Sequence, residues 1–201
     1  SPLQHLWSMS MQGQVFLLWP LIMTLCVLLA RRFKKNLRGT VLVAFGLVAA
    51  ASLVWLLFYS PDDGSVYFDT RSRIWEFAFG SAVAAAAPWI KVSQRWARAL
   101  SVAGLLVLLL FCLVSIGSYP GLMALVPMAS VSAILLFAPT AAGGSVTKVL
   151  SLTPLPQLGD ISYSVYLVHW PIFVLYLAYS GKTRLELLDG LAVIAASLVV
   201  A

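Results

Sequence analysis

The sequence predicts an all-α, polytopic transmembrane helix bundle, with about six full spans and a truncated seventh. Three observations carry this. First, 61% of the 201 residues are hydrophobic and only 10% are charged, where a soluble domain carries roughly 25% charged residues. Second, the apolar residues fall in runs of about the 20 residues that a spanning helix needs. Third, the basic residues sit in short clusters between those runs, which is how membrane topology is encoded. The net charge of +6 is therefore topological, and no nucleic-acid partner is expected. Cys26 and Cys112 both lie inside apolar runs. They read as small core or lipid-facing residues rather than a disulfide or a metal pair.

Val15–Ala30 is the first span, started a few residues earlier by an amphipathic lead-in. Arg31–Arg38, RRFKKNLR, follows with five positive charges. Thr40–Tyr59 is the second span, and SPDDGSVYFDTRSR follows it. Ile74–Ile90 is the third, with three positive charges after it in KVSQRWAR. Ala99–Ile116 is the fourth and is nearly pure Leu and Val, so it is expected to face lipid. GSYPG has turn chemistry and leads to the fifth span, Leu122–Ala138. Val146–Leu152 is too short to span, and Pro154 and Pro156 keep it from running on as one helix. Ile161–Tyr179 is the sixth span and Leu187–Ala201 the seventh. Arg31–Arg38, Lys91–Arg98 and Lys148 fall on alternate loops, so one side is assigned as cytoplasmic. Lys182 and Arg184 break that pattern on the outer side. Helices one, three and six carry the unusual polar residues and are expected around a cavity. The Ala84–Ala87 run suits close helix packing.

Three polar constellations stand out. In the sixth span Ser162, Tyr166 and His169 fall within an arc of about 80° on a helix. Asp160 projects oppositely. Ionisable groups inside a spanning helix usually face a bundle interior and serve function. Pro171 removes a backbone donor just past His169, so a local kink is expected there. The imidazole suits a general base, an oxyanion donor or a group that orients a hydroxyl; a structural histidine bonded across helices is the alternative. In TRSRIWEF, Arg73 and Glu76 stand at i,i+3 and can pair. Arg71 and Arg73 suit a phosphate or carboxylate, or an interfacial anchor with Trp75. In the opening stretch, His5, Ser8 and Gln12 would share a helix face, and Gln14 and Trp19-Pro20 continue into the span. That stretch either folds over the cavity mouth or is an ordinary interfacial helix. No GxSxG, HExxH, CxxC, Walker or GxGxxG motif is present, and two distant histidines make no metal site.

Three blocks match a known pattern. SPLQHLWSMSMQGQVFLLWP resembles the SPL-x-H-x-WSLS…Q-x-x-LLWP segment of the acyltransferase family 3 integral membrane proteins, which include O-antigen, exopolysaccharide and peptidoglycan O-acetylases. YFDTRSRIWEFAFGSAVA resembles that family's YF-x-T-x-x-R-x-WE-x-x-x-G-x-x-A block. LGDISYSVYLVHWPIF is similar to its LG-x-ISYS-x-YL-x-HWP block, in the form common in members fused to an extracytoplasmic hydrolase-like domain. The blocks occur in family order and span nearly the whole chain.

The resemblance implies a single membrane acyltransferase domain over 1–201. It implies transfer of an acyl group, commonly acetyl, from a cytoplasmic donor such as acyl-CoA to a hydroxyl of an outer carbohydrate or lipid-linked glycan. No bound cofactor and no metal are expected, and the setting would be the bacterial inner membrane, with membrane lipid around it. It also implies that an Arg and a His about ten residues apart, in a helix upstream of Ser1, supply the main base. The chain does not begin with Met and stops within an apolar segment, so it is expected to be a fragment, inactive alone. The matching positions are His5, Trp7, Ser8, Gln14, Trp19, Arg73, Trp75, Glu76, Gly80, Ser162, Tyr163, Tyr166, His169 and Pro171. Of these, His169, Glu76, Tyr166 and Ser162 are assigned to catalysis. Arg73, His5, Trp7, Gln14, Trp75 and Tyr163, with Arg71 beside them, are assigned to substrate binding. Many members have two acidic residues where this chain has Gln12-Gly13. A transporter or lipid-linked glycan carrier without acyl-transfer chemistry suits the mid-membrane polar groups and the kinked helix as well. A purely structural bundle leaves Glu76 and His169 without a reason.

Overall fold

The computed structural model describes residues 6–59, 68–113, 121–141, 143–181 and 186–201. His5, most of the loop after the second span, most of the GSYPG turn, and Lys182 with Arg184 lie outside them. Eight helices are described: α1 Trp7–Arg32, α2 Leu37–Phe58, α3 Thr70–Ala86, α4 Gln94–Leu113, α5 Leu125–Phe137, α6 Ser145–Leu150, α7 Pro154–Ser180 and α8 Leu187–Val200. No strand occurs among the described residues. The helices α1, α2, α4 and α7 are long and apolar enough to cross a membrane.

The third span keeps its expected length but is displaced toward the N-terminus, and the fifth is shorter as a helix. α3 has 17 residues, about 25 Å at 1.5 Å per residue. Pro88, in the 3-10 turn Ala87–Trp89, cannot continue the α-helical ladder. α5 has 13 residues and is preceded by the 3-10 turn Leu122–Ala124.

Several boundaries differ from the sequence reading. α7 begins at Pro154, not Ile161, and has 27 residues. Pro154 and Pro156 lie in the first turn, where the backbone N–H groups have no intrahelical partner anyway. They end the preceding segment and also start this helix. α3 begins at Thr70 because Asp69 caps it, its carboxylate accepting the amide of Arg71 at 3.1 Å. α1 runs unbroken from Trp7 through Pro20, so residues 7–14 form the first turns of the span rather than a separate flap.

The chain divides into two compact units, residues 11–149 and residues 1–10 with 150–201. In the larger unit α2 packs along α3, and α4 along α5. Cys26 of α1, Val41 and Phe45 of α2 and Ala78 of α3 form a buried core. Trp19 packs against it and donates its indole N–H to Ser81 Oγ at 2.8 Å. The α4–α5 contact is made by small residues: Ala97, Ser101 and Gly104 of α4 and Ser130 of α5 are buried. A Cβ on Gly104 would stand 2.8 Å from the Ser130 carbonyl oxygen. This is the close backbone approach that small residues allow between membrane helices. Leu106, Leu109, Leu110 and Leu113 of α4 are exposed, as expected of a lipid-facing side. In the smaller unit α7 packs on α8. The phenol of Tyr176 donates to Asp189 Oδ1 at 2.6 Å, and Asp189 closes a capping box with Glu186 at the start of α8. Both cysteines are free, Cys26 buried and Cys112 exposed.

Candidate functional site

Some of the polar residues singled out above form one cluster in each unit. In the smaller unit Tyr166 of α7 shares a hydrogen bond between its phenol and the hydroxyl of Ser8 on α1. One turn along α7, the ring of His169 lies 5.7 Å from that of Tyr166, centroid to centroid. His169 Nδ1 lies 3.1 Å from the carbonyl oxygen of Val165. A carbonyl only accepts, so Nδ1 is the donor in this bond. His169, Trp170 and Phe173 line a cavity of about 500 Å³ with Gly190, Ile194 and Ser197 of α8.

Ser162 shares the helix stripe but not the contact. Its hydroxyl turns back to the carbonyl of Gly159 at 2.7 Å and is exposed. Tyr163 is 57% exposed. Trp7 is half-buried at the start of α1. His5 lies outside the described residues.

In the larger unit Arg73 and Glu76 meet as expected. Arg73 Nε donates to Glu76 Oε1 at 3.1 Å and Nη2 to Oε2 at 3.0 Å. Their side chains are 13% and 18% exposed, so the charges are held as a bidentate pair away from bulk solvent. Glu76 borders a cavity of about 620 Å³ between α3 and α5, whose walls include Phe79, Gly80, Val83, Pro127 and Met128. The cavity is apolar with one carboxylate at its edge. Helices one, three and six were expected around one cavity. Within its own unit, α3 lines a cavity with α5, and α7 lines one with α8. The sequence had assigned α5 and α8 no such part.

Trp75 is 1% exposed and packs inside its unit, so substrate contact there requires repacking. Its amide donates to Ser52 Oγ at 3.0 Å, and that hydroxyl donates to the Arg71 carbonyl at 2.6 Å. Ser52 thus engages both partners of one i,i+4 rung of α3 from the neighbouring helix. Arg71 lies away from the cavity. Its guanidinium stands 4.3 Å over the Trp55 ring and its Nε donates to Asp69 Oδ1 at 3.1 Å. Gln14 is exposed on α1.

Asp69 also accepts from Ser72 Oγ at 2.9 Å and Trp55 Nε1 at 3.0 Å. Burial by itself would raise its carboxyl. The bonds from the Arg71 side chain, the Ser72 hydroxyl, the Arg71 amide and the Trp55 indole outweigh burial and hold it below its ordinary value. Sequence reasoning passed over Ser52, Trp55, Asp69, Tyr176 and Asp189. Only Asp69 and Asp189 carried a local signal, as acidic residues at helix starts. The others depend on which helix is the neighbour. Among the described residues no group of three His, Cys, Asp or Glu side chains is placed to hold a metal ion.

Apolar helices of spanning length, with carboxylate, imidazole and phenol groups on the helices that border apolar cavities, define a multi-pass membrane protein. The family profile of the acyltransferase domain of acyltransferase family 3 matches residues 1–201, and the chain belongs to that family. It is similar to the peptidoglycan O-acetyltransferase OatA of Listeria monocytogenes, with 25% identity over 210 residues, covering 100% of this chain and 33% of the relative. It is also similar to the O-acetyltransferase OatA of Staphylococcus aureus, with 29% identity over 190 residues, covering 89% of this chain and 30% of the relative. The chain thus spans about a third of the length of these curated relatives. No solved structure matches.

Proposed function

We propose that this chain is part of the membrane domain of an O-acyltransferase. The enzyme moves an acyl group, acetyl in the first instance, from acyl-CoA on the cytoplasmic side to a carbohydrate hydroxyl on the outer side of a bacterial inner membrane. The names of the relatives make peptidoglycan the leading acceptor. Beside the family match, the observation that carries this reading is the Ser8–Tyr166–His169 string, a hydroxyl, a phenol and an imidazole set among apolar helices.

Acyl transfer needs a base for the attacking hydroxyl and donors for the developing oxyanion. His169, beside Tyr166 on α7, supplies an imidazole suited to orienting a hydroxyl. Tyr166 supplies a phenolic donor beside it. Glu76, held by Arg73, keeps a carboxylate at the edge of an apolar cavity suited to an acyl chain or the thin arm of its carrier. His169 and Tyr166 serve as wall groups that position the acceptor.

The test is label transfer by the full-length protein in proteoliposomes, from radiolabelled acetyl-CoA to added peptidoglycan fragments. Protein-dependent label on glycan is the expected result. His169→Ala abolishes it while the folded protein is recovered at wild-type level. Movement of glycan without label would make the protein a carrier instead.

A further inference from the structure

A rigid aromatic and basic ledge lies where α2 ends and α3 begins. The Trp55 and Tyr59 rings stack at 5.4 Å with 20° between planes, and the Arg71 guanidinium lies 4.3 Å over Trp55. Asp69 locks the arrangement by accepting from Trp55 Nε1 at 3.0 Å and Arg71 Nε at 3.1 Å. Yet the Arg71 side chain is 70% exposed and Tyr59 is 65% exposed. An exposed ion pair adds little stability, and ordering a long arginine opposes it. The ledge is better explained by what it presents. It offers an open phenol ring and the Nη donors of a guanidinium whose Nε alone is committed to Asp69.

We infer that this ledge is a sugar-binding subsite that takes one pyranose ring of the glycan acceptor, away from the reacting hydroxyl. A pyranose has an apolar C–H face that stacks on an aromatic ring, and hydroxyl or acetamido oxygens that accept from a guanidinium. The charges of Arg71 and Asp69 cancel, which suits a neutral sugar better than a phosphate headgroup. The ledge also sits at the C-terminal end of α2, whereas the five cations of Arg31–Arg38 surround its N-terminal end. With 22 residues in α2, the two ends stand about 33 Å apart. Cations mark the cytoplasmic side, so the ledge faces the outer side, where the glycan lies. The inference rests on the acyltransferase reading and adds a specificity site to it.

The experiment uses full-length protein in nanodiscs of neutral lipid, with muramidase-released peptidoglycan disaccharide as the probe. Binding is read by calorimetry and transfer by steady-state kinetics. Tyr59→Ala and Arg71→Ala should each raise both Kd and KM for the disaccharide about three- to tenfold, with kcat retained, while Tyr59→Phe keeps wild-type values. Unchanged Kd in both alanine variants overturns the ledge, even where acyl transfer is intact. A binding change seen only in nanodiscs containing anionic lipid also overturns it, in favour of a headgroup anchor. Failure of acyl transfer in the wild type, with disaccharide binding still lost in the variants, would refute the enzyme reading and keep the sugar site.

Discussion

Arg73 grips Glu76 through two nearly parallel bonds, 3.1 Å and 3.0 Å long, within one turn of α3. Removing either partner breaks the bidentate bond of a charge largely shielded from solvent. Glu76→Gln and Arg73→Met are each expected to destabilise the larger unit by about 3 kcal/mol. The double variant Arg73→Met with Glu76→Leu should be less destabilised than the sum of the two. Thermal unfolding in detergent across this double-mutant cycle checks it, and additive losses would show that the pair is not coupled.

Gly104 and Gly80 make a contrast in space. A Cβ at Gly104 meets the Ser130 carbonyl at 2.8 Å and the Ala133 side chain at 3.2 Å, whereas a Cβ at Gly80 meets nothing within 4 Å. Gly104→Val should push α4 from α5 and cost about 1–3 kcal/mol. Gly80→Leu should leave the melting temperature nearly unchanged but fill the cavity beside Glu76, so O-acylation falls. Parallel melting curves and transfer assays separate the two effects.

The lowered Asp69 carboxyl gives a pH signature. Its stabilising contribution is complete above the ordinary value of 3.8 and is lost as pH falls through the lower folded-state value. At neutral pH, Asp69→Ala should destabilise by about 1 kcal/mol through loss of the helix cap. The gap between wild type and Asp69→Ala should close as the medium is acidified below pH 3.8. A gap that stays constant down to the acid limit would remove the carboxylate from the explanation.

Tyr166→Phe removes the phenol that meets Ser8 but keeps the ring beside His169. If Tyr166 helps hold the acceptor, turnover should fall about tenfold to a hundredfold with the protein still folded. Ser8→Ala should reproduce part of that loss. Wild-type turnover in both variants would leave the pair a packing contact between α1 and α7 within the smaller unit.

Legibility followed sequence distance. The Arg73–Glu76 bond was readable because i,i+3 neighbours on a helix must approach one another. The Tyr166–His169 contact was readable for the same reason. Ser162 bonds its own preceding turn, which a serine on a helix does as easily as it bonds a neighbour. Pro154 and Pro156 end the short apolar piece as read, and they also occupy the first turn of α7, where a missing N–H is harmless.

The linear order of residues was sufficient for the class of protein, the helical spans and the family. Those depend on composition, run length and short local patterns, and each is complete within about 20 residues. Partner choice was not contained there. That Ser52 bridges a rung of α3, that Trp19 reaches Ser81, that α5 and α8 wall the cavities beside Glu76 and His169, and that Arg71 lies on Trp55 rather than beside Arg73 are outcomes of packing. Apolar helix faces are chemically alike, so hydrophobicity alone does not say which faces meet. Close contact of small residues and the need to satisfy buried polar groups select the pairing, and both act only once the helices are side by side.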